Sequence, residues 1–189
     1  MGRTTDDIVV GADGSIFVAP VGTEPPAGIA EPWGAGWTEL GYTDENGFKF
    51  TDGKTIVDIL VWQLFYPARK IITARDFTTD FALRQFDGET VKLGFGGGEI
   101  TEPESGTFRY TPPAPSFIDE RALGAEWLDG DKVFRLVLPK GLVTSNVSTE
   151  VVRTKSSDLP ITFGIIGADG QDPWYFDTND ESFLDLVGS

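Results

Sequence analysis

The alternation of apolar and polar positions is clearest between Arg69 and Gly98. Phe77, Thr79, Phe81 and Leu83 alternate with Thr78, Asp80, Ala82 and Arg84, a period of two that predicts a half-buried β-strand. The period then breaks. Asp87 is suited to cap a helix, Gly88 to Gly94 has room for about two turns, and Phe86 and Val91 occupy hydrophobic-staple positions. So short a helix is not stable alone in water. It is predicted to lie against the sheet it has just left, with Gly96-Gly97-Gly98 as a flexible stop.

The rest of the chain reads as strands and turns. Ile8-Val9-Val10 and Ser15–Val18 flank Gly11-Ala12-Asp13-Gly14 and predict a hairpin; the same tetrapeptide, Gly167–Gly170, lies between Ile161–Ile166 and Trp174–Phe176. Residues 23–36, rich in Pro, Gly and Ala, predict an irregular surface excursion pinned by Trp33 and Trp37. A short strand at Trp37–Tyr42 and a turn at Asp44–Gly47 follow. Phe48–Thr51 and Lys54–Gln63 suggest a second hairpin turning at Asp52-Gly53. Val57, Ile59 and Val61 line one face of it, and Ile56, Leu60 and Trp62 much of the other. A strand apolar on both faces is either central in a sandwich or covered by a partner. Asp58 in the same run needs a partner if it is buried. Residues 48–66 are therefore expected to meet another subunit.

Residues 101–116 read as a Pro-rich loop between two halves of one sandwich. Strands are expected at Arg121–Leu128 and Lys132–Leu138, joined by Asp129-Gly130-Asp131, then at Leu142–Thr154, Leu159–Ile166 and Trp174–Phe176. Residues 177–189 form an acidic tail carrying apolar Phe183-Leu184 and Leu186-Val187, a patch suited to docking. The fold class is all-β, a sandwich or barrel with one short flanking α-helix at about 87–95, in a single domain over residues 1–189.

Composition narrows the chemistry. The chain has no cysteine, which excludes disulfides and thiolate metal sites, and no histidine, which removes the usual general base and the commonest zinc ligand. A non-enzymatic protein without cofactor or metal is expected. No run of about 18 apolar residues predicts a membrane span, and the first residues lack the apolar core of a secretory signal. The net charge of −15 opposes binding to nucleic-acid phosphates. Arg3 is the only basic residue before Lys49 and none follows Lys155, so acidic ends flank a basic middle that a neighbouring copy can meet.

Other motifs carry little chemistry. Gly94-Phe95-Gly96-Gly97-Gly98 follows a helix, where the dipole repels phosphate, and no Lys-Ser/Thr comes after it. Asp177-Thr178-Asn179-Asp180-Glu181 resembles the start of a calcium loop, but Ser182 stands where glycine belongs. Glu102 and Glu104 are read as solvated loop acids. Arg69-Lys70 and Arg75, interleaved with Asp76 and Asp80, are read as members of ion pairs between strands or subunits.

Several of these words resemble major tail tube proteins of long-tailed, siphovirus-type phages of actinobacteria. They are Gly14–Pro20, Trp37–Tyr42, Asp52-Gly53-Lys54, Trp62-Gln63, Tyr66-Pro67 with Arg69, Thr79–Gln85, and Gly96–Gly98 after the short helix. The similarity spans most of the chain and is strongest in its first half. It implies a structural virion protein whose hexameric rings stack into a tail tube, a conduit that DNA passes through without specific binding. It also implies tape measure and tail terminator proteins as partners, no membrane, and assembly in the host cytoplasm. The interface residues expected from the apolar hairpin and the tail are Phe48, Phe50, Asp52, Lys54, Ile56, Asp58, Leu60, Trp62, Tyr66, Arg69, Phe183 and Leu184. The alternative is a non-catalytic β-sandwich module binding carbohydrate or another ligand through Trp33, Trp37 or Trp174.

Overall fold

The computed structural model describes residues 5, 8–167 and 170–186. Their strands are β1 (Asp13–Pro20), β2 (Thr38–Glu39), β3 (Thr43–Ile59), β4 (Arg69–Leu83), β5 (Glu99–Glu104), β6 (Thr107–Thr111), β7 (Arg121–Asp129), β8 (Lys132–Val143), β9 (Leu159–Ile165) and β10 (Tyr175–Thr178). One α-helix, α1 (Gly88–Gly94), follows β4, and a 3-10 helix spans Glu181–Leu186. The fold is all-β and antiparallel, as the alternation predicts.

The main sheet runs β2-β1-β7-β8-β9-β4-β3. β8 is its spine. One edge pairs with β7; the other takes β10 at Phe134–Val137 and β9 at Gly141–Val143. The sheet divides there, and its halves share one core. Ile16, Val18, Leu123, Ala125, Leu136 and Leu138 meet Phe77, Phe81, Leu83, Leu159, Ile161 and Phe163. These are the inward residues of period-two strands. At the rim, Phe48 of β3 lies edge-on to Trp127 of β7 at 5.4 Å, and Phe77 stacks on Trp174 at 4.4 Å.

The outward face of β1, β7 and β8 is covered as well, so Arg135 and Val137 are buried although they alternate with the core residues. The cover is the excursion at 23–37. Trp33 stacks on Phe17 at 4.5 Å and meets Trp37 edge-on at 4.7 Å. The Trp37 indole donates to the Glu24 carbonyl (3.0 Å), and the Trp33 indole to Glu126 (3.2 Å). Arg135 lies over the Trp33 ring at 5.0 Å, pairs with Glu126 at 2.6 Å and donates to the Gly28 carbonyl at 2.8 Å. A buried guanidinium needs this full set of acceptors. Trp33 reaches the sheet because Gly124 lies beneath it; a Cβ there would enter the indole.

The predicted helix forms as read. Asp87 accepts from the Glu89 and Thr90 amides, and Thr90 Oγ1 accepts from the Asp87 amide, a reciprocal cap. Leu93 enters the core. The glycines that follow are a packed joint rather than a flexible one. Gly96, Gly97 and Gly98 have φ of 75, 103 and 100°, Gly97 donates to the Lys92 carbonyl at 2.7 Å, and the Tyr110 hydroxyl donates to the Gly97 carbonyl at 3.0 Å. A Cβ on Gly98 would meet Tyr110 and the Thr111 carbonyl, so left-handed φ and close approach both require glycine.

Five expectations are corrected. Ile8–Val10 forms no strand; β1 begins at Asp13 and is paired along its length with β7, which offers the longer ladder. Asp52-Gly53 is no turn, because Gly53 pairs with Asp76 inside a continuous β3. β9 and β10 do not form a hairpin, since both pair with β8; Ala168 and Asp169 of the tetrapeptide between them lie outside the described residues. The strand expected at Leu142–Thr154 stops at Val143, where Thr144 donates to the Thr162 carbonyl and Thr162 donates to Ser145 Oγ, closing the strand end with a side chain. Finally, the Pro-rich loop contains the β5–β6 hairpin, turned at Gly106 with φ 80°.

Gly124→Ala is expected to destabilise the protein by about 1–3 kcal/mol through overpacking against Trp33. In urea denaturation, Trp33→Ala should make the same glycine change nearly neutral, a non-additive pair; equal costs in both backgrounds would refute the contact's role.

Candidate functional site

The longest hairpin, β3–β4, pairs from Thr43↔Leu83 to Ile59↔Arg69. Its two halves have different surroundings. In the inner half, Phe77, Thr79, Phe81 and Leu83 are buried, as their alternation predicts. In the outer half, residues 54–66 and 68–76 are all exposed. From Thr51 to Ile59 this ribbon extends about 27 Å, at roughly 3.4 Å per residue.

Two irregularities bound the ribbon. Near its base the register slips between Thr43 and Phe48. The predicted turn at Asp44–Gly47 is therefore a bulge, with the Asn46 amide donating to Asp44 (3.2 Å) and Gly47 at φ 63°. Farther out the register slips again between Thr55 and Ile56, and the Thr73 hydroxyl donates to the Thr55 carbonyl at 3.3 Å. Beyond that point Ile56 and Asp58 face Ile72 and Lys70 on one side of the ribbon. Val57 and Ile59 face Ile71 and Arg69 on the other. Both sides are thus partly apolar, as expected. Leu60, Val61 and Trp62 belong to the tip instead of a strand face, where Ala68 donates to the Ile59 carbonyl and Leu64 to that of Val61. Trp62 is 99% exposed, and Phe65 and Tyr66 stand in solvent beside it.

The other expected interface residues fall into three places. Phe48 and Phe50 root the ribbon, Phe48 against Trp127 and Phe50 stacked over Phe77 at 6.0 Å. Asp52 pairs with Lys54 at 3.0 Å and Asp58 with Lys70 at 2.7 Å; both pairs are exposed and each contributes little by itself. Asp58 is therefore not a buried acid. Phe183 and Leu184 are exposed on the 3-10 helix, with Phe183 edge-on to Phe176 at 5.7 Å, far along the chain from the ribbon. The side chain of Leu186 and all of Val187 lie outside what is described.

Sequence reasoning missed a second exposed projection, β5–β6, with Phe108 on it and Phe117 and Ile118 in the loop that follows. Ser105-Gly106 between short β-prone runs was its signal. Phe65 was also missed, although it lies in the same apolar run as Trp62.

The base of β3–β4 borders an open groove of about 1040 Å³. Asp13, Glu39, Asp44, Glu45 and Asp87 line it, with no lysine or arginine. None of the five has a cationic partner among the described residues. Phe48, Phe50 and Trp127 form its apolar wall.

Elsewhere the nominated motifs serve the fold. Glu102 accepts from the Gly106 amide at 2.8 Å and closes the β5–β6 turn. In the calcium-like run, Asn179 accepts from the Val133 amide and donates to the Asp131 carbonyl, and Asp180 pairs with Lys132 at 2.8 Å. These contacts fasten β10 to the β7–β8 turn. Trp33 and Trp37 cover the sheet and Trp174 stacks on Phe77, so those rings are committed to packing rather than to a sugar platform. No helix among the described residues is long and apolar enough to cross a membrane.

A protein-family model described as phage tail tube protein matches residues 1–185. No curated protein matches the chain.

Asp180 generates a pH dependence. The hydrogen bond from Lys132 and then that from the Ser182 amide hold its carboxyl below the ordinary value of 3.8. A depressed folded-state value means the contribution is full above that ordinary value and is lost as pH falls through the lower one. Thermal unfolding should therefore show an acid limb below about pH 4 that is shallower in Asp180→Asn; identical limbs would contradict this assignment.

Proposed function

The chain belongs to the phage tail tube protein family, structural components of the virion tail that assemble into an oligomeric tube, and from that premise we propose that six copies close each ring and that rings stack through the β3–β4 ribbon. The tube is the conduit for phage DNA in a long-tailed phage; the resemblance noted in the sequence favours an actinobacterial host. A tape measure protein sets its length and a terminator caps it, with assembly in the host cytoplasm. The subunit performs no catalysis and needs no cofactor.

The observation that carries this reading is the uncovered outer ribbon. Eleven large apolar or aromatic side chains between Ile56 and Ile72 are exposed. An isolated two-stranded ribbon is at best marginally stable in water, and a contiguous apolar surface of this kind marks an interaction site. Fully burying one such side chain gains about 1.5–3 kcal/mol, comparable to or larger than the roughly 1–2 kcal/mol needed to order one residue's backbone. Contact with a neighbour therefore stabilises the ribbon and the assembly together. Identical copies joined head to tail through unlike surfaces, where the contact does not close on itself, grow without limit until something stops them, which matches a tube and its terminator.

The acidic balance supports the conduit. A wall with a negative balance of charge repels phosphate, and screening over about 8 Å at physiological salt confines the repulsion to the wall. DNA then moves through the bore without adhering.

The test removes the outer ribbon alone. Deleting Lys54–Arg75 and joining Gly53 to Asp76 through an Asn-Gly turn keeps the inner pairing. The variant should retain the near-UV circular dichroism of the native subunit and stay monomeric at concentrations where the native chain forms tubes of fixed width in negative-stain micrographs. Native-width tubes from the truncated chain would defeat the assignment of the ribbon.

A further inference from the structure

We infer that the acidic groove at the base of the β3–β4 ribbon receives the tip of the same ribbon from a second copy. The inference rests on the ribbon being the assembly arm and adds the surface on which it lands.

Charge is the first argument. Between Phe48 and Asp76 the chain carries five basic side chains against three acidic ones, a local net charge of +2 within a protein of −15. Lys54 and Lys70 are neutralised within the ribbon. Lys49, Arg69 and Arg75 have no acidic partner among the described residues. The groove has the complementary imbalance, five carboxylates and no cation. Like-charged surfaces resist approach, so a subunit this acidic has few patches on which another copy can settle. The ribbon carries three of the five lysines and arginines that lack an acidic partner among the described residues, and its Arg69 stands beside the exposed aromatic tip.

Shape and chemistry are the second argument. Phe48, Phe50 and Trp127 line the groove together with its carboxylates. Trp62 and Phe65 are apolar rings carried next to a guanidinium. Rings against the apolar lining and Arg69 against the carboxylates satisfy both at once, and aromatic side chains and arginine are enriched in such contacts. A groove of about 1040 Å³ is just above the roughly 300–1,000 Å³ that encloses a small ligand, so it has room for more than one side chain.

Topology identifies the occupant as a second copy. Pairing from Thr51 to Ile59, interrupted only by the bulge after Thr55, holds the tip away from its own base, so a tip can reach only another molecule's groove. The contact is tip to base, therefore directional, and filling a subunit's groove leaves its own tip available for a further copy. Repetition produces an open stack.

The absence of cysteine from the chain permits a direct test. The variant with both Phe65→Cys and Glu45→Cys, oxidised under conditions that give tubes, should yield a ladder of covalent oligomers. A mixture of the two single-cysteine variants should stop at covalent dimers joining one of each. Both positions are exposed, and Glu45 makes no hydrogen bond or ion pair among the described residues. Tubes that form without this cross-link would overturn the inference.

Should the cysteine variant fail to assemble, charge exchange decides. Arg69→Glu and Glu45→Arg should each raise the concentration needed for tubes about tenfold, and the two together should restore it. A combined variant as defective as either single one would overturn the landing site. If Glu45→Arg assembles like the native chain while the Lys54–Arg75 deletion does not, the ribbon remains the arm and its landing site lies elsewhere. If the deletion variant assembles too, the reading of the ribbon itself fails.

Discussion

One constraint organises this molecule: a β-ribbon with apolar side chains on both faces cannot be covered by the chain that makes it. Among the described residues the outer halves of β3 and β4 have no third strand, no helix and no loop against them, and they end in exposed Trp62, Phe65 and Tyr66. Within one subunit that surface is destabilising. Covered by another copy, as proposed, it would drive association, because the area removed from water belongs to both partners.

Such a ribbon needs a body that holds its base still. β4 supplies it by passing from the ribbon into the centre of the core, where Phe77, Thr79, Phe81 and Leu83 are packed between β3 and β9. Phe48 and Phe50 tie the other strand to Trp127 on β7. The opposite half of the sheet is stiffened from outside, where Trp33 lies over Gly124 and beside Arg135. Force applied to the tip is thus passed into the packed core of the sheet. The two bulges belong to the same design: they bend and twist the ribbon where it leaves the body and again halfway along.

Local chemistry was the part most legible in the sequence. The alternation from Phe77 to Leu83, the Asp87 cap with its short helix, the Asp129–Asp131 turn and the anchoring role of Trp33 and Trp37 were all readable from neighbouring residues. The exposed ribbon was legible as a strand apolar on both faces, with Asp58 as the warning that its surroundings are not a core. Strand partners were less legible. Asp52-Gly53 has the composition of a turn, yet the long ladder with β4 carries the backbone straight through it. Ile8–Val10 has the composition of a strand, yet β7 offers β1 a longer partner. Pairing across a sheet depends on residues more than 100 positions away, such as Phe17 and Gly124, and no local pattern encodes that choice. The acidic groove was illegible for the same reason, since Asp13, Glu39, Asp44 and Asp87 become neighbours only when three separate segments meet.

The central claim is that the outer ribbon is exposed in the free subunit and is covered by another copy in the tube. Hydrogen–deuterium exchange on the two states, resolved to peptides, measures this directly. Amides in the Lys54–Arg75 segment should exchange rapidly in the free subunit and become strongly protected in the tube, while those of β7 and β8 stay slow in both. Equal exchange of the Lys54–Arg75 segment in subunit and tube would contradict the account.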